Sequence, residues 1–90
     1  MAWRVEFDHR AKREFDKLDR PAKERITRFL RERIATDEDP RRAGEALRGD
    51  KETLWKYRVG GYRLICDIQD NRVTVLVLVV GHRREIYRGR

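Results

Sequence analysis

The sequence predicts an α+β domain with the element order β-α-α-β-β-β, in which two N-terminal helices pack on one face of a small, mainly antiparallel sheet. Three observations lead to this prediction. Apolar residues recur at helical spacing in residues 9–34, whereas residues 54–80 form alternating or continuous apolar runs. Turn residues separate those runs, at Gly60-Gly61 and at Asp70-Asn71. A chain of 90 residues is expected to form a single domain over residues 1–90.

The first half of the chain predicts one short strand and two helices. Residues 3–7 alternate apolar and charged side chains, as in a strand with one buried face. Asp8 is suited to cap the first helix, and Pro21 to stand in the first turn of the second. The apolar stripe of the two helices consists of Ala11, Phe15, Leu18, Ala22, Ile26, Phe29, Leu30 and Ile34. Residues 36–44 are expected to form a surface loop, and residues 46–53 are ambiguous.

The second half predicts three strands. Residues 54–59 and 62–68 flank the Gly60-Gly61 turn and form a hairpin. Residues 72–80 are apolar on both faces, which is typical of a strand in the middle of a sheet, and Gly81 is expected to end that strand. Residues 82–90 form a polar, basic tail.

The charge distribution favours a polyanionic partner. The net charge is +7; residues 1–52 hold 15 Lys/Arg and 13 Asp/Glu, whereas residues 53–90 hold 8 and 3. Cys66 is the only cysteine, so neither a disulfide framework nor a zinc site is predicted, and a reducing, cytoplasmic location fits. The two histidines lie far apart, and no metal or cofactor motif is present. The longest apolar run is too short to cross a bilayer, so no association with a membrane is expected.

The hairpin predicts a cluster of cations on one face of the sheet. A two-residue turn fixes the strand register, so Arg58 should lie opposite Arg63, with Lys56 on the same face. Directly opposed arginines repel each other, and a phosphate bound between them would remove that repulsion. The alternative is that both side chains extend into water. The other face of the hairpin should belong to the core, with Trp55, Tyr57, Val59, Tyr62, Leu64 and Cys66.

The tail should reach the same edge of the sheet with His82, Arg83, Arg84, Tyr87 and Arg88. Cleavage of RNA by its 2′-OH requires a base for the 2′-OH, an acid for the leaving 5′-oxygen, and cations that stabilise the charge that builds on the phosphate. Lys56 would release its proton more readily beside several arginines, and His82 is a conventional acid or base. In the alternative interpretation His82 is an ordinary surface residue. Tyr87 could stack on a base, or could anchor the C-terminus.

Three stretches, VEFDHRAKREFDKLD, ALRGDKETLWKYRVGGYRLICDI and VTVLVLVVGHRREIY, resemble the RelE/ParE superfamily of toxins, and its RelE branch in particular. The resemblance implies metal-independent cleavage of mRNA in the ribosomal decoding site, which leaves a 2′,3′-cyclic phosphate and a 5′-hydroxyl. It also implies the catalytic set Lys56, Arg58, Arg63, Arg83 and Tyr87, in which Arg58 replaces a lysine of the family. Secondary RNA contacts are expected from His82, Arg84 and Arg88.

The resemblance also implies a partner, an antitoxin protein that covers the basic face. Two other functions remain open at this stage. A toxin of the ParE type would bind DNA gyrase, and a non-catalytic domain would bind RNA or the ribosome without producing a cyclic phosphate.

Overall fold

Two helices cover one face of a five-stranded mixed sheet in the computed structural model, which describes residues 2–47 and 53–82. The order of the strands is β1-β5-β4-β3-β2; β1 runs parallel to β5, and the other pairs are antiparallel. The predicted α+β fold is confirmed, with one additional short strand, β2. The strands are β1 Arg4–Phe7, β2 Glu45–Ala46, β3 Leu54–Val59, β4 Tyr62–Gln69 and β5 Thr74–His82.

The helices are α1, His9–Asp16, and α2, Arg20–Phe29. Each begins with an aspartate whose carboxylate accepts a backbone N–H of the first turn: Asp8 from Ala11 at 2.9 Å and Asp19 from Ala22 at 3.0 Å. A π-helical turn, Leu30–Ile34, extends α2. No helix among the described residues is long and apolar enough to span a membrane.

The β3–β4 hairpin has the predicted register. Val59 pairs with Tyr62 and Arg58 with Arg63 across the two-residue turn. Gly60 has a φ of +60°, a left-handed conformation that favours glycine at this turn.

The end of β5 differs from the prediction. Gly81 does not end the strand, because the ladder continues through the pairs Arg63–Gly81 and Tyr62–His82. A glycine inside a ladder still contributes its backbone hydrogen bonds, so its lack of a side chain does not stop the strand.

The core lies between the helices and the sheet. Tyr57, Leu64 and Cys66 are completely buried on the helix side of the hairpin, as predicted. The aromatic side chains of Trp3, Phe29 and Trp55 pack against this core and are only partly buried. A register shift at Ile65/Cys66 marks a bulge between β4 and β5.

Candidate nucleic-acid interface

The strand register places the three predicted cations on one face of the sheet, but their side chains are not equally exposed. Cross-strand partners share a face, so Lys56, Arg58 and Arg63 lie on the face opposite the helices. Arg58 is exposed, the Lys56 side chain is 23% exposed, and Arg63 is only 4% exposed. The expectation that all three cations are exposed is therefore wrong for Arg63. Its strand, β4, lies in the interior of the sheet, between β3 and β5.

The unequal exposure changes the electrostatics predicted for the opposed arginines. Arg58 and Arg63 are direct cross-strand partners, but one guanidinium lies in solvent and the other within the fold. Water screens the charge of Arg58, so the repulsion is weaker than it would be between two crowded, dehydrated cations.

Lys56 has an acidic neighbour that the sequence did not predict. Its Nζ lies 3.3 Å from a carboxylate oxygen of Glu45, because β2 pairs Glu45 with Lys56 across the ladder. The sequence predicted several arginines beside Lys56 and did not predict this carboxylate. No local pattern in the sequence indicated this pair, since a two-residue strand is too short to produce alternation.

A pocket of about 470 Å³ opens beside the start of β2, along the edge of β3, and we call it the edge pocket. It is lined by four cations, one carboxylate and one aromatic ring together with a short backbone segment: Phe29, Arg33, Arg42, Ala43, Gly44, Glu45, Lys56 and Arg58. Sequence reasoning missed Arg33 and Arg42, because a helical segment and a loop bring them to β3 only in the folded chain.

Two side chains of β3 fix the loop that forms one wall of the edge pocket. The Tyr57 hydroxyl donates to the Pro40 carbonyl at 2.8 Å, and the Trp55 indole N–H donates to the Ala43 carbonyl at 2.7 Å. A Cβ at Gly44, whose φ is +72°, would overlap the Lys56 carbonyl. The predicted surface loop is thus anchored on both sides of Arg42 rather than loosely attached.

The basic tail is only partly described. His82 is the last residue of β5, and its ring meets Tyr62 edge-on, with centroids 5.4 Å apart. Tyr62 belongs to the helix side of the hairpin, so the structure does not place His82 on the face of the predicted cationic cluster. The remaining predicted residues of the tail lie outside the described residues; these are Arg83, Arg84, Tyr87 and Arg88.

Cys66 and the acidic residues offer little alternative chemistry. Burial raises the pKa of the Cys66 thiol to about 12, so the nucleophilic thiolate is disfavoured. Within residues 2–47 and 53–82, no group of three or more histidine, cysteine or acidic side chains could hold a metal ion. The arrangement that remains is a cationic one, suited to binding phosphate.

The chain belongs to a class of toxins, the ParE toxin family of type II toxin–antitoxin systems, whose family model matches residues 5–87. The predicted resemblance to the RelE/ParE superfamily is thereby confirmed. The mRNA interferase toxin RelE of Escherichia coli (strain K12) is 37% identical over 90 residues, which cover 97% of this chain and 92% of the relative. Toxin RelG of Mycobacterium tuberculosis is 33% identical over 88 residues, which cover 98% and 99%.

Solved structures agree with this assignment. The toxin–antitoxin complex RelBE2 from Mycobacterium tuberculosis contains a chain that matches with a TM-score of 0.80 and 30% identity, over 92% of this chain and 93% of that one. The isolated RelE toxin of Escherichia coli matches with a TM-score of 0.74 and 30% identity, over 98% and 94%.

Proposed function

We propose that this chain is the toxin of a type II toxin–antitoxin system and an endoribonuclease that cleaves mRNA. The observation that carries the proposal is the similarity to mRNA interferase RelE, at 37% identity over nearly the full length of both chains. The strand face with Lys56, Arg58 and Arg63 supports it, because phosphate binding needs closely spaced cations.

The reaction proposed here is attack of the ribose 2′-OH on the adjacent phosphorus. The bond from phosphorus to the 5′-oxygen breaks, and a 2′,3′-cyclic phosphate and a 5′-hydroxyl result. Lys56 accepts the 2′-OH proton, and Arg58 lies two residues along the same strand, where it assists electrostatically. Binding of RNA at this face must displace an ion pair, since the carboxylate of Glu45 lies 3.3 Å from Lys56 Nζ.

Arg63 and Arg83 are proposed to hold the scissile phosphate, and Tyr87 to stack on or orient the nucleotide. Arg63 pairs with Gly81, which lies two residues before Arg83 in the chain. The burial of Arg63 suits a fixed charge, because a cation partly removed from water stabilises a developing anion more strongly than a solvated one.

The proposed partners are a cognate antitoxin protein, mRNA and the ribosome. Solved relatives include complexes of RelE with RelB, from Escherichia coli among others. The antitoxin would form a hetero-oligomer with this chain. Cleavage would take place in the cytoplasm, in the decoding site of translating ribosomes.

In-vitro translation followed by primer extension tests the proposal. The wild-type chain should produce site-specific breaks in mRNA with 5′-hydroxyl ends, and Arg83→Ala should lower the rate by about 10²–10³-fold. Arg20→Ala, which removes an exposed cation at the start of α2, is the control and should cleave normally. Breaks that persist unchanged in Arg83→Ala would contradict the proposed site. Loss of DNA supercoiling without mRNA breaks would indicate a gyrase inhibitor instead, and RNA binding without breaks would indicate a non-catalytic domain.

A further inference from the structure

The edge pocket contains more positive charge than its neighbouring carboxylates neutralise. Lys56 pairs with Glu45, and Arg42 pairs with Glu38, a residue outside the pocket lining; both carboxylates are mostly exposed. Arg33 and Arg58 are exposed, and neither forms an ion pair with another described residue. These two guanidinium groups are therefore available to a bound anion. Arg42 can exchange Glu38 for an anion as well, because an ion pair between two exposed side chains contributes little to stability. Guanidinium binds phosphate with strong, directional hydrogen bonds.

The pocket also offers an aromatic surface. Phe29 is half-buried and lines the pocket, and its ring meets Tyr57 at 60° with centroids 5.5 Å apart. Tyr57 is itself immobilised by its hydrogen bond to Pro40, so the Phe29 ring has a fixed support. A rigid aromatic ring beside cations is the arrangement on which bases of single-stranded nucleic acid stack. The volume of about 470 Å³ lies within the range of pockets that hold small ligands.

The pocket is continuous with the proposed cleavage site. Lys56 and Arg58 line the pocket and also belong to the strand face that carries Arg63. An RNA strand with its scissile phosphate at that face would pass directly over the edge of β3. β2 pairs only with Trp55 and Lys56, so no described strand obstructs this path beside Arg58.

We propose that the edge pocket is a subsite for one nucleotide of single-stranded RNA adjacent to the scissile phosphate. Its base lies against Phe29, and its phosphate is held by Arg33 and Arg42. The subsite rests on the proposed function, since it extends the same RNA-binding face. It assigns RNA contacts to three residues outside the expected catalytic set.

Binding of a short fluorescein-labelled RNA, made uncleavable by 2′-deoxy substitution, tests the subsite by fluorescence anisotropy. Arg33→Ala and Arg42→Ala should each weaken binding roughly tenfold, the usual effect of losing a charged hydrogen bond. Each should also reduce the slope of log K against log salt by about 0.7. Arg31→Ala is the matched control, because Arg31 lies in the same π-helical turn, has a side chain 67% exposed, and does not line the edge pocket.

Phe29→Leu tests the base contact separately from the phosphate contact. It should weaken binding at least fivefold while leaving the salt slope unchanged. With RNA that lacks a base at the nucleotide held in the pocket, Phe29→Leu and the wild type should bind equally well. Circular dichroism confirms that each variant is folded before its binding is compared. Equal losses for Arg33→Ala and Arg31→Ala would overturn the subsite, because the charge would then act only at long range. A salt slope that stays unchanged in both Arg33→Ala and Arg42→Ala would also overturn it, because neither arginine would then neutralise a phosphate.

The same variants in the translation assay separate failure of the subsite from failure of the proposed function. If the wild-type chain binds RNA through the pocket but produces no mRNA breaks, the nuclease proposal fails and the subsite stands. If breaks appear and the Arg33 and Arg42 variants bind and cleave like the wild type, the subsite fails and the nuclease stands. An acidic peptide serves as a second probe. If the Arg33 and Arg42 variants bind this peptide more weakly but bind RNA like the wild type, the pocket is a protein contact and the subsite is overturned.

Discussion

Replacing Tyr57 with phenylalanine removes one oxygen atom from the core and leaves the ring in place. The lost hydroxyl donates to the Pro40 carbonyl at 2.8 Å, and both residues are completely buried. A buried carbonyl left without its donor costs about 1–3 kcal/mol, so we expect the free energy of unfolding to fall by about 1–2 kcal/mol. In a domain of this size, 1 kcal/mol corresponds to about 4–8 °C in Tm, so Tm should fall by about 10 °C.

Thermal and urea unfolding, followed by circular dichroism, measure this loss. Tyr62→Phe is the matched control: Tyr62 is half-buried, and its hydroxyl makes no hydrogen bond with another described residue. We expect the control to change the free energy of unfolding by less than about 0.5 kcal/mol. If Tyr57→Phe and Tyr62→Phe unfold at the same temperature as each other, the hydrogen bond to Pro40 does not stabilise the fold, and the reasoning fails.

Alkaline pH provides a second test of the same residue. Burial raises the pKa of Tyr57 above its ordinary value of 10.0. The folded chain therefore holds this proton more tightly than the unfolded chain. Its contribution to stability is complete below pH 10 and is lost as the pH rises from there toward the folded pKa. Tm measured from pH 8 to 11 should thus decline more steeply in the wild type than in Tyr57→Phe, which cannot ionise.

Three further predictions concern stability. Cys66 should react with a thiol reagent only after unfolding, since burial raises its pKa to about 12; a reaction rate independent of urea would contradict this. The hydrogen bond from Arg41 lowers the pKa of Asp70, so Asp70→Asn should destabilise the chain by a few tenths of a kcal/mol at pH 7. The difference in urea unfolding should shrink as the pH falls below 3.8 and vanish only below the lowered pKa of Asp70 in the folded chain. Glu14→Ala removes the acceptor of the Val80 N–H at 2.7 Å, so the free energy of unfolding in urea should fall by about 2 kcal/mol. Glu14→Gln keeps a side-chain oxygen that can accept this N–H and should retain most of the stability. Equal losses in the two variants would argue against a hydrogen-bonding role for Glu14.

The hairpin and its register were predictable from the sequence because they depend on short-range geometry. Two glycines between alternating runs leave one register, and strand alternation then assigns every side chain to a face. The helix starts were predictable for a similar reason, since Asp8 reaches an N–H only three residues away. The charge asymmetry of the two halves indicated a polyanionic partner.

The tertiary structure decided how exposed and how paired each cation is. Arg63 and Arg58 are equivalent in the hairpin pattern, but in the folded chain Arg63 is buried and Arg58 is exposed. The Glu45–Lys56 pair depends on a two-residue strand that has no periodicity to detect. The edge pocket joins Arg33 and Arg42 to the same site across different elements. Local patterns determine which face a side chain takes, whereas burial and counter-ions depend on contacts between segments distant in the sequence.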